Sequence, residues 1–239
     1  MDDAFAVLGQ AALAPTGHSE ALVIGSGLVA LVVSVGLWPL TSFAITIAHE
    51  GGHAFTASLM GGTIDSIEVN SRRNSTRGAT GVREIGPFGK FLTGLAGYVG
   101  PSIFGLVGTL LLVADKVVDV LWLSLFFLLL ALVQMRNLLG AVAVVITGGI
   151  IVLALRAGGG VQAFLTYMWI WFLLLGGFGH VAALQRARAQ NPDTGSDAYR
   201  LRQLTHLPSS LFLGFFWLFS LLSLLYGGVL LLGIMHPRL

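Results

Sequence analysis

Seven apolar runs divide this chain, at about 21–37, 41–60, 88–113, 117–135, 138–156, 161–184 and 209–234. Runs of that length constrain the fold more than any other feature. About 20 apolar residues in a helix cross the roughly 30 Å hydrocarbon core of a bilayer. Inside that core a helix satisfies all of its own backbone hydrogen bonds, whereas an open strand does not. The composition agrees: 55% of residues are hydrophobic, only 10% are charged, and the mean hydropathy is +0.86. The expected fold is an all-α polytopic membrane protein with six or seven transmembrane helices, forming one integral-membrane domain over residues 1–239. Pro39 separates the first two runs, since a helix interior tolerates proline poorly, and region 21–60 leaves the number of crossings open. Residues 1–20 begin with Asp2 and Asp3 where a signal peptide carries Lys or Arg, so the first apolar run reads as a retained anchor.

Two polar segments interrupt the pattern. Residues 61–87 carry Arg72, Arg73, Arg77 and Arg83, alternate at Ile67-Glu68-Val69-Asn70, and hold a turn-like Arg73-Asn74-Ser75. This predicts a short β-hairpin directly after the second run. Residues 185–207 carry Arg186, Arg188, Arg200 and Arg202. Four runs lie between the two segments, so both emerge on one side, and their arginines assign that side to the cytoplasm. The expected location is a multi-pass position in the cell membrane. A net charge of +2 without a basic stripe argues against a nucleic-acid partner, and nothing in the chain reports an oligomeric state.

The second run contains His49-Glu50-Gly51-Gly52-His53. Positions i and i+4 share a helix face, so both imidazoles can address one metal ion, with Glu50 placed to take a proton from water. A carboxylate near mid-membrane costs about 3 kcal/mol, which makes Glu50 a functional hypothesis by default. If the helix ends near Met60 at the cytoplasmic face, His53 lies about 10 Å and His49 about 16 Å inside. The site then opens toward the cytoplasm. A catalytic zinc ion needs a third protein ligand. The chain has no cysteine. Asp65 follows too closely, and Asp115 and Asp119 belong to the opposite face. Asp193, Asp197, His180 and His206 remain, and Asp197 is the preferred one.

The segment His49-Glu50-Gly51-Gly52-His53-Ala54, followed by Gly61-Gly62 and a short β-like stretch, resembles the site-2 protease family of intramembrane zinc metalloproteases. Gly97-Tyr98-Val99-Gly100-Pro101 is similar to that family's Gly-Pro element. Arg136-Asn137-Leu138-Leu139-Gly140 and Ser196-Asp197-Ala198 look like elements of a bacterial, mainly actinobacterial branch. The resemblance covers roughly residues 40–208. It implies a third ligand from an Asp in a Leu-Asp-Gly or Asn-Pro-Asp-Gly motif. This chain has no Leu-Asp-Gly and offers only Asn191-Pro192-Asp193-Thr194-Gly195, so Asp193 stays open beside Asp197.

The expected activity is a zinc metalloendopeptidase that cleaves a membrane-anchored protein within the bilayer. Zn2+ is held by His49, His53 and Asp197, with Glu50 as general base. Asn137 is the candidate oxyanion partner, its alternative role being an interhelical hydrogen bond. A strand edge within 63–82 could hold an unwound substrate segment. Gly97, Gly100 and Pro101 read as packing and kink residues. The competing readings are a non-proteolytic membrane scaffold that keeps the protease fold, and a metal or proton transporter. Transport would need further ionisable groups at mid-membrane depth, and the runs hold almost none.

Overall fold

A computed structural model describes residues 19–72, 75–190 and 195–233. The chain order is α1 (Glu20–Gly36), α2 (Trp38–Leu59), β1 (Thr63–Arg72), β2 (Ser75–Arg83), α3 (Pro87–Val113), α4 (Val117–Gln134), α5 (Leu138–Ala157), α6 (Gly159–Gln190), α7 (Asp197–Thr205) and α8 (Ser209–Leu231). Among the described residues the protein is all-α apart from one two-stranded antiparallel sheet. Five helices are individually long and apolar enough to cross a membrane, and α1 with α2 makes a sixth span if the pair is one bent crossing. That pair bends by 103°. The break falls at Leu37, not at Pro39. Pro39 sits in the first turn of α2, where its missing N–H costs nothing. The first twenty residues lie almost wholly outside the described part.

The core is built where small residues let helices touch. Gly52 of α2 and Gly100 of α3 face each other across the tightest crossing: a Cβ on Gly52 would run into the Ala96 carbonyl and Cα of Gly100. Such backbone-to-backbone approach is how helices associate in lipid, where burying apolar surface gains little. Around it, Ile45, Leu112, Tyr167, Ile170 and Leu174 form the largest buried cluster, joining α2, α3 and α6. Helices α4 and α5 stand off from this centre. Between α4 and the α2–α3 pair lies an apolar cavity of about 580 Å3, lined by Gly51, Phe104, Val107 and Phe127.

The hairpin β1–β2 pairs Thr63 with Arg83 through to Arg72 with Ser75, with an irregularity between Ile64 and Ser66. Its predicted turn residues 73 and 74 lie outside the described residues. The other edge of β1 is also occupied. Arg136 N–H donates to the Ile67 carbonyl (2.9 Å), and the Asn137 side chain brackets Val69. Asn137 Oδ1 accepts from Val69 N–H (3.0 Å) while its Nδ2 donates to the Val69 carbonyl (2.6 Å). The amide thus acts as a one-residue strand. Among the described strands it leaves the outer edge of β2 without a strand partner.

Helix α6 runs on to Gln190, well past the apolar run. Arg188, on this polar extension, donates to Ser196 Oγ (3.4 Å) and Ser209 Oγ (2.6 Å), tying together the starts of α7 and α8. The short helix α7 begins with Asp197, whose negative charge suits a helix N-terminus, and stops at His206 in the left-handed conformation (φ 61°). It buries Asp197, Ala198 and Leu201. Leu201 packs on Gly94 of α3.

Candidate metal centre

His49 and His53 lie one turn apart on α2, and both are buried, as is Glu50 at 2% exposure. Their Nε2 atoms are 3.2 Å apart. The Oδ2 of Asp197, brought in by α7, lies 3.1 Å from each of them. These three donor atoms make a nearly equilateral triangle. Three ligands about 2.0–2.1 Å from a tetrahedral ion stand about 3.3–3.4 Å from one another, so the triangle has the size a zinc site requires. Proton placement points the same way. Nδ1 of His53 lies 2.6 Å from the Thr93 carbonyl, which only accepts, so this nitrogen carries the proton. Nε2 then turns its lone pair toward the Asp197 carboxylate. Two lone pairs at 3.1 Å repel unless a proton or a metal ion lies between them.

Glu50 belongs to the same cluster but sits to one side. Its Oε1 is 3.8 Å from His49 Nε2, and the ligating atoms of His49, Glu50 and His53 all lie within 4.8 Å of one another. That trio could also hold an ion. Glu50 is engaged elsewhere, however: Thr80 Oγ1 on β2 donates to its Oε2 (2.6 Å). The Cα of Gly78, also on β2, packs on the same carboxyl group so closely that no Cβ could stand there. The hairpin therefore covers and orients Glu50.

Gly97 of α3 fills the corresponding place beneath the histidines: a Cβ on it would collide with His53 Nε2 and the His49 ring. Its neighbour Tyr98 meets the His49 ring edge-on at 4.5 Å and stacks on Phe216 at 4.9 Å. His180 of α6 is 4.9 Å from His49, ring centre to ring centre. All these groups except Gly97 and Phe216 line one cavity of about 850 Å3, whose wall includes Gly78 and Thr80 and whose mouth includes Lys90 and Arg200.

The structure brings four of the expected residues together: His49, Glu50, His53 and Asp197. His180 shares their cavity without joining the donor triangle. His206 caps α7, is exposed, and does not line the cavity. Asp193 lies outside the described residues. Asn137 does not line the cavity either, since both ends of its amide hold β1. Thr80, Gly78 and Tyr98 had no role assigned from sequence. Gly97 is one of six glycines on α3, so its place beneath the histidines did not stand out in the sequence, and nothing marked Thr80.

A family model described as Peptidase M50B-like matches residues 21–227. No curated protein matches the chain, and no solved structure does. The matched stretch contains both halves of the site, the His-Glu-x-x-His helix and Asp197, and takes in every described helix at least in part. The chain is a multi-pass membrane protein that belongs to the Peptidase M50B-like family, the site-2 proteases.

Proposed function

We propose that this chain is an intramembrane zinc metalloendopeptidase that hydrolyses a membrane-anchored protein, working from the cytoplasmic side. The observation that carries this reading is the donor triangle of His49, His53 and Asp197, with Glu50 beside it. His49 Nε2, His53 Nε2 and Asp197 Oδ2 would hold the ion. A zinc ion held there supplies Lewis acidity, which polarises a carbonyl and acidifies water. Glu50 takes the proton of the attacking water and delivers it to the departing amine as the carbon–nitrogen bond breaks. Thr80 holds the Glu50 carboxylate in place for that transfer. His53 keeps its donor face through the Thr93 carbonyl.

A helical substrate hides its peptide bonds in its own hydrogen bonding, so the cleaved segment has to be extended. Among the described strands, the outer edge of β2 is unpaired and runs past Glu50, so it is where an extended segment would lie. Asn137 contributes by fixing the opposite strand. The argument for a cytoplasmic orientation is the arginine content of the hairpin and of the segment around α7, with four apolar helices between the two.

Metal content of the detergent-purified full chain tests this reading, with wild type beside His49→Ala, Asp197→Ala and Glu50→Gln. Near-stoichiometric zinc in wild type and Glu50→Gln, with loss in the other two variants, is the expected result. Retention in Asp197→Ala would move the third ligand elsewhere. A folded wild type that takes up no zinc would leave a scaffold that keeps the family fold without its chemistry.

A further inference from the structure

Among the described residues, the carboxylates that line the cavity of the candidate metal centre are Glu50 and Asp197, and both are buried. Its mouth carries two exposed cations, Lys90 in the first turns of α3 and Arg200 on α7. Neither makes an ion pair among the described residues. Both are in register with the site. Lys90 lies three residues before Thr93, the carbonyl that holds His53, and Arg200 lies three residues after Asp197. On a helix that spacing is one turn on the same face, a rise of about 4.5 Å. The other arginines near α7 behave differently: Arg186 and Arg202 do not line the cavity.

We infer that Lys90 and Arg200 form a carboxylate-binding subsite, and that the preferred substrate carries an acidic side chain close to the cleaved bond. This rests on the proteolytic reading above and adds a substrate class to it. One helical turn plus the reach of a long side chain is about 10 Å, or three residues of extended chain. The acidic residue is therefore expected within about three positions of the scissile bond.

The test uses apolar single-span peptides that differ at one position flanking the span, Asp, Asn or Lys, in a neutral maltoside detergent at low salt. Binding is read on the full-length, zinc-loaded Glu50→Gln chain, and cleavage on the zinc-loaded wild type. The Asp peptide is expected to bind about tenfold more tightly than the Asn peptide, as two partly shielded charge pairs allow, and the Lys peptide most weakly. The Lys90→Gln/Arg200→Gln variant, with its zinc content unchanged, should erase that order. Equal binding of Asp and Asn peptides, or an order that survives the double variant, overturns the inference. So does a double variant that keeps the order but no longer retains added phosphatidylglycerol, which would assign the pair to lipid headgroups. Cleavage of all three peptides at one rate would remove the subsite and leave the protease. A zinc-loaded wild type that binds and cuts none of them would remove both.

Discussion

Helices α3 and α5 are both glycine-bearing, apolar and long enough to span a membrane, yet they behave as opposites. Inside the protein, 61% of the apolar window of α3 is buried, against 28% of that of α5. The glycines explain the difference. Those of α3 stand against something specific: Gly97 against His49 and His53, Gly100 against α2, Gly108 against Ile170. Those in the middle of α5 do not: Gly149 has open space around it, and Gly148 only one distant neighbour. Glycine content alone therefore says little about helix packing in a membrane. What matters is whether a neighbouring backbone or ring occupies the space where a side chain would be.

The sharpest way to break this comparison is Gly97→Ala. The added methyl enters the space of His53 Nε2 and should reduce bound zinc by more than tenfold, read as metal content of a chain that still inserts and folds. Gly100→Ala tests the crossing itself: it should cost about 1–3 kcal/mol in detergent unfolding, because the Ala48 backbone carbonyl in its way cannot give. Gly149→Ala should have the opposite sign and gain up to about 1 kcal/mol through helix propensity. If both glycines respond alike, the contrast between α3 and α5 is wrong.

Two smaller effects sharpen the picture around the hairpin. Thr80→Val should slow cleavage about tenfold with zinc retained, and Thr80→Ser should restore most of it, since only the hydroxyl holds Glu50. Asn137→Ala should speed amide hydrogen exchange in β1, particularly at Val69, and cost about 1–3 kcal/mol. An oxyanion role would lower the turnover rate without touching that exchange. The smallest effect belongs to Asp65, whose carboxyl lies below the usual range because Arg83 donates a hydrogen bond to it. A depressed carboxylate stabilises the fold above its unfolded pKa and loses that contribution as pH falls through the lower, folded value. Wild type should therefore lose slightly more stability than Asp65→Asn between pH 5 and pH 3, measured by thermal unfolding.

Much of the architecture could be read from apolar runs alone, because a bilayer demands helices of nearly fixed length. Region by region, α3, α4 and α5 fall within a residue of the expected spans. The polar end of α6 could not be read in this way: from Gln185 onward the helix leaves the apolar pattern and is held by side-chain bonds such as those of Arg188. The first half of the site was also legible, since His49, Glu50 and His53 share a single helix. The second half was not unique in sequence. Asp197 and Asp193 are four residues apart in the sequence, and the packing of Leu201 and Ala198 against α3 and α8 sets the inward aim of Asp197. Thr80 was invisible for a deeper reason. Its partner is 30 residues away, and a threonine in a β-strand has no feature that distinguishes a bond to a buried carboxylate from ordinary strand propensity.

The donor triangle also has a bearing on how the protein is made. His53 and Asp197 are separated by 144 residues, and four helices have to be laid into the bilayer between them. A growing chain that has just placed α2 carries the paired histidines and the acid but lacks the third ligand. It cannot hold its ion in a working geometry until α6 has crossed and α7 has docked. An ion held by all three donors would bind the finished arrangement more tightly than the partial one, and so would draw late insertion steps toward completion. On the proposed function, proteolysis would wait for the docking of α7, which would keep the chain silent during its own biogenesis and spare its neighbours in the insertion machinery.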